Sequence, residues 1–151
     1  MAQLLERVNT VELLEKLYQN VRMAADSISA ILPHVEDERL MSDLTVELSC
    51  FEEYARRALH ELKARDAEPN EKPLFSKAGV KLGTFVNTLV DSSADHLAEM
   101  MIKGATMGIN DLCRQVRAAK ENGIDAGTCS LLEEVLRYEE SVVEEMKSYL
   151  Q

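Results

Sequence analysis

Leu40, Leu44, Leu48, Phe51, Ala55, Ala58 and Leu62 recur at steps of three and four residues, the spacing that sets side chains on one face of an α-helix. Leu14, Leu17, Val21, Ala24, Ile28 and Ile31 repeat that spacing upstream, and Leu132, Leu136, Val143, Met146 and Leu150 repeat it near the end. An apolar stripe on a helix has to be buried against another element. Several such stripes in one chain of 151 residues therefore require helices packed on helices around a shared core. The fold class this predicts is all-α, a four-helix bundle forming one domain over residues 1–151.

Punctuation supports long helices, because the chain holds only 3 Pro and 6 Gly. Asn9-Thr10 with Glu12 has the form of a capped helix start, and Pro33 stops the first helix. The second is expected from Asp37 to Arg65, with Glu36, Asp37 and Glu38 at its positive end and Lys63 and Arg65 at its negative end. Two prolines between Asp66 and Pro73 then break the chain. From Ser76 to Lys120 a single helix would be about 68 Å long, half as long again as its partners. Asp91-Ser92-Ser93 is rich in N-cap residues, so the reading divides this stretch into a short helix near 77–91 and a long one near 93–120. A connection of this length between the second and third long helices can run the whole bundle as a long crossover. Asn122-Gly123 and Gly127 bound the next turn. Thr128 or Ser130 is expected to start the last helix, with Ser130 and Glu133 as its capping box.

A net charge of −10 without a strong basic cluster excludes nucleic acid as a natural partner, since neutralising phosphate dominates that affinity. It argues equally against anionic membranes. Arg56-Arg57 and Arg114, Arg117 and Lys120 read as solvated helix faces. Cys50, Cys113 and Cys129 form no C-x-x-C pair, no segment reads as a signal peptide, and no apolar run reaches the roughly 20 residues of a membrane span. The expected location is the cytoplasm.

Glu139 is the most informative residue, because it interrupts the stripe Leu132, Leu136, Val143, Met146. A buried carboxyl needs a donor, a cation or a raised pKa. Asn20 intrudes likewise between Leu17 and Ala24. In an antiparallel bundle of matched helices, Asn20, Phe51, Gly108 and Glu139 share one height, where Asn20 can donate to Glu139. His96 and Glu99 form an H-x-x-E pair on one helix face, with Glu47 as the nearest contributor from the second helix and Asp95 adjacent. Gly104 and Gly108 stand one turn apart, each costing about 1 kcal/mol relative to alanine, so a close neighbour is expected there, a second helix backbone foremost. Met100, Met101 and Met107 read as adaptable core filler, Cys50 and Cys113 as buried small hydrophobes.

Tyr18-Gln-Asn-Val-Arg-Met23, Lys81-Leu-Gly-Thr-Phe-Val-Asn-Thr-Leu-Val-Asp91 and His96-Leu-Ala-Glu-Met-Met-Ile-Lys-Gly-Ala-Thr-Met-Gly108 resemble a group of uncharacterised bacterial proteins of the ferritin-like superfamily. The resemblance implies a ferritin-like four-helix bundle. Di-iron members of that superfamily draw one Glu from each of two helices and Glu-x-x-His from each of the other two. Here Glu47 is followed three later by Cys50, Glu52 by Ala55, Glu53 by Arg56, Glu139 by Val142 and Glu140 by Val143. The di-metal pattern is absent, and no family ligand carries over.

The expectation is a non-enzymatic bundle without a cofactor, acting as a homo-oligomer or on a protein partner. One alternative is a degenerate metal-binding or oxidant-handling protein with iron, manganese or zinc at Glu47, His96, Glu99 and Glu139. Another is a small-molecule binding bundle with a pocket beside Gly104 and Gly108 and Glu139 at its base.

Overall fold

The computed structural model describes residues 9–69 and 91–151. They form four α-helices, α1 (Thr10–Ile31), α2 (Glu38–Ala64), α3 (Ala94–Glu121) and α4 (Ala126–Lys147), with a 3-10 turn at Leu32–His34. No strand occurs among the described residues.

Each helix begins on a side-chain cap that satisfies one of the amides a first turn leaves open. Asn9 accepts from the Glu12 amide at 2.8 Å, Asp37 from Leu40 at 2.8 Å, and Ser93 from His96 at 3.2 Å. Pro33 falls in the 3-10 turn that ends α1. Residues 91–93 are not helical, so the break expected there is present. The short helix expected near 77–91 lies outside the described residues.

The start of α4 departs from the expectation. Its cap is Asp125, ahead of both Thr128 and Ser130, and its carboxylate accepts from the Thr128 amide at 2.9 Å and from the Thr128 hydroxyl at 3.0 Å. Gly123, at φ 62°, makes the turn, whereas Gly127 is already helical. Ser130 is exposed inside the helix.

α1 lies along α2 and α3 along α4, giving two helical hairpins that pack on each other. Side-chain pairs fix their directions. Arg57 binds Glu134 at 2.7 Å, Phe51 meets Tyr138 edge-on with centroids 5.2 Å apart, and the Tyr149 hydroxyl donates to Asp43 at 2.5 Å. Rising numbers on α4 thus meet falling numbers on α2, and the two are antiparallel. Asn20 with Gly108, and Thr10 with Asp125, make α1 and α3 antiparallel in the same way. Consequently α2 and α3 run in the same direction. Arg65, just past α2, stands by Asp125 at one end of the bundle, while Asp95 accepts from the Gln151 amide at the other.

Leu14, Leu17, Val21, Ile28, Leu40, Leu44, Leu62, Leu97, Leu112, Leu132 and Met146 are fully buried along the centre. Three stripes are turned slightly from their expected faces. Ala25 replaces Ala24 on α1, and Glu47 replaces Leu48 on α2. On α4, Val135, Val142 and Tyr149 take the places expected of Leu136, Val143 and Leu150. Apolar residues occur in adjacent pairs at 135–136 and 142–143, so spacing alone fits either member. Packing selects the set that buries Tyr149 against α2. No helix among the described residues is long and apolar enough to cross a membrane.

Candidate functional site

The bundle interior holds two carboxyl groups, both only 2% exposed: Glu47 on α2 and Glu139 on α4. Every other carboxyl among the described residues reaches water to a greater degree. Besides these two, the buried polar side chains among the described residues are Gln115 and Thr128.

Glu139 sits where Leu132 and Met146 continue the apolar stripe at heptad spacing, so its side chain is carried inward by helix geometry alone. Its carboxyl lies in the space that a side chain at position 108 would fill. A Cβ placed on Gly108 would come within 2.5 Å of Glu139 Oε1 and 3.4 Å of Asn20 Nδ2. Asn20 Nδ2 donates to the Gly108 carbonyl at 3.1 Å. α1, α3 and α4 therefore meet at one polar point, and Phe51 stands at the same height through its contact with Tyr138. The expected proximity of Asn20, Gly108, Glu139 and Phe51 is present, but the Asn20 amide bonds backbone instead of the carboxyl. Glu139 Oε2 is buried without a hydrogen-bond partner. Burial, with the negative charge of Asp111 behind it, pushes the Glu139 carboxyl up to about 8, so it carries its proton at neutral pH.

Glu47 lies elsewhere, in the seam between α2 and α4. Burial, then the neighbouring Glu145 and Asp43 carboxylates, pushes it up to about 9. Neither of its oxygens has a partner in hydrogen-bonding geometry. Beside it the Tyr149 hydroxyl is bound to Asp43, with the Arg39 guanidinium 4.7 Å above the Tyr149 ring. Burial of Glu47 was legible as a steady alternation of four and three through Leu40, Leu44, Glu47 and Phe51. The competing Leu48 concealed it.

His96 occupies the first turn of α3, partly buried, and Glu99 is exposed and paired with Lys103 at 3.2 Å. Gly108, where Glu139 rests, is twelve residues further along α3, or about 18 Å. Glu145, the neighbour of Glu47, is six residues beyond Glu139 on α4, or about 9 Å along the axis. The four expected metal candidates Glu47, His96, Glu99 and Glu139 thus occupy three separate places and do not form one site. Asp95 is engaged by the Gln151 amide. Among the described residues, no three His, Cys, Asp or Glu side chains stand close enough together to hold a metal ion.

Other expectations need correction. Gly104 has no atom within 4 Å of a would-be Cβ, so nothing approaches it, and the object near Gly108 is a pair of side chains, not a backbone. Glu139 Oε1 occupies the space immediately beside Gly108. Met101 belongs to the core, but Met107 is 65% exposed. Cys113 is exposed and Cys50 half-buried, and Cys129 donates its thiol hydrogen to the Ile124 carbonyl at 3.4 Å. An open groove beside the C-terminal half of α2 is lined by Arg56, Arg57, His60 and Leu131. Its two arginines are already paired, with Glu53 and Glu134.

Comparison of the chain with family models, curated proteins and solved structures finds no match.

Proposed function

We propose that this chain is a non-enzymatic ferritin-like helical bundle that acts by association, with a second copy of itself or with a protein partner. The observation that carries the reading is the placement of its two interior acids, which stand apart from each other and from His96 and Glu99. Glu139 is held neutral against Gly108 and Asn20, and Glu47 is held neutral in a different seam. Two such groups in different seams favour structural polar burial over a shared catalytic centre.

The ferritin-like part of the reading draws support from helix direction. α2 and α3 run the same way, the relative direction that a bundle with a long crossover between them requires. A cytoplasmic location is consistent with the acidic charge and the half-buried and exposed free cysteines.

Elemental analysis of protein purified without oxygen or chelator tests the reading. The expected result is no stoichiometric iron, manganese or zinc in the wild type or in Glu139→Ala and Glu47→Ala. Near-stoichiometric metal that is lost in either variant would replace association with metal chemistry as the function.

A further inference from the structure

Between Arg39 and Glu52, the exposed residues of α2 are Met41, Ser42, Thr45, Val46 and Ser49, and none is charged. In a chain that is 29% charged, a solvent-facing stretch without charge is unusual. Val46 at its centre is 60% exposed and Met41 42%. The Thr45 hydroxyl already donates to the Met41 carbonyl at 2.7 Å, so covering it strands no donor.

The stretch also has the spacing of a helix seam. Positions 39, 42, 46, 49, 53 and 56 alternate by three and four along one line, as the contact positions of paired helices do. Along that line they read Arg, Ser, Val, Ser, Glu, Arg. The two serines are small enough to admit a second helix closely, and charges stand only at the ends. What fits such a line is a helix with an uncharged middle and the opposite charge at each end.

A second α2, laid antiparallel, has that form. With a two-fold axis at Val46, Val46 faces Val46, Arg39 faces Glu53 of the second copy, Ser42 lies beside Ser49, and symmetry repeats each pair. A parallel arrangement would instead set Arg39 on Arg39 and Glu53 on Glu53. The Arg39 guanidinium is held at this edge by the Tyr149 ring and by the Ser148 hydroxyl at 3.0 Å. We propose that the outer face of α2 from Arg39 to Arg56 is an isologous dimer interface, filled by the same face of a second copy running antiparallel. The seam is about 26 Å long, which places it at the low end of specific interfaces and makes the dimer reversible and concentration-dependent. The inference rests on the association reading above and names its partner.

Sedimentation equilibrium of the full chain over a concentration series at low salt is the test, with folding of each variant checked by circular dichroism. Wild type is expected to dimerise reversibly, more weakly as salt rises. Val46→Glu and Ser42→Glu, both on exposed helix positions, should weaken the dimer about tenfold or more, since each buries unpaired charge twice across the axis. Met107→Glu, on α3, should leave it unchanged. Arg39→Glu should weaken it, and adding Glu53→Arg should restore it. A dimer indifferent to Val46→Glu would overturn this interface while leaving association standing. A monomer at every concentration would overturn the interface and the self-association arm together, leaving only a foreign protein partner.

Discussion

Gly108 and Gly104 have the same residue type on the same helix, yet their surroundings predict opposite outcomes for one substitution. Alanine in a helix gains up to about 1 kcal/mol over glycine. At Gly104 nothing opposes that gain, so Gly104→Ala is expected to raise stability by about 0.5–1 kcal/mol. At Gly108 the new methyl would collide with the buried Glu139 carboxyl and crowd the partly buried Asn20. Gly108→Ala is expected to lose about 1–3 kcal/mol in urea unfolding, and equal effects at the two glycines would contradict the packing described. The interior acids make a second prediction. Unfolded, Glu139 and Glu47 titrate near 4.5; folded, they titrate near 8 and 9. Between those values the native state binds more protons than the unfolded state, so raising the pH lowers stability. The slope is negative for each group, with the contribution complete below 4.5 and gone above about 8 and 9 respectively. Asp125, Glu133 and Glu134, held below the usual carboxylate range by Thr128, Lys120 and Arg57, act in the opposite sense and only at acid pH. Stability should therefore peak near about pH 5 and fall toward pH 8. In Glu139→Gln and Glu47→Gln the fall should be shallower; an unaltered slope would show that these carboxyls are not the cause.

Helix boundaries are decided by which side chain reaches the open amides of the first turn. At α4 that side chain is Asp125, which binds Thr128 twice and stands within 3.5 Å of the Thr10 hydroxyl and 3.9 Å of Arg65. Asp125→Ala is expected to cost about 1–2 kcal/mol, nearly all from the cap, since the exposed contacts to Thr10 and Arg65 add little. Ser130→Ala should stay within about 0.5 kcal/mol, because Ser130 lies past the first turn and caps nothing. Thermal unfolding of the two variants separates a helix beginning at Ala126 from one beginning after Ser130. The local sequence offers both starts. Asp125 prevails because Gly123 turns the chain with a positive φ two residues before it.

At the scale of the whole molecule, two hairpins are joined by apolar contact more than by charge. Phe51, 2% exposed, wedges between them against Tyr138, whereas Arg57 and Glu134 pair across the same seam in water. Phe51→Ala is expected to destabilise by about 3–5 kcal/mol and Arg57→Ala by less than about 1 kcal/mol, measured by denaturant unfolding. Comparable losses would mean that the seam depends on its ion pair. The sequence by itself determined the helical class, the starts of α1, α2 and α3, and the inward placement of Glu139. Each follows from local caps and from a period of 3.6, which act over one or two turns. It also determined that Asn20, Gly108 and Glu139 share a height, because matched antiparallel helices leave little freedom along the axis. Only the tertiary structure decided rotation about each axis. Leu48 against Glu47, Val135 against Leu136 and Ala25 against Ala24 differ by one residue, or 100° of helix, and spacing serves either choice. That rotation buried Glu47 and exposed Met107 and Cys113, because how a helix rolls depends on the neighbours it packs against.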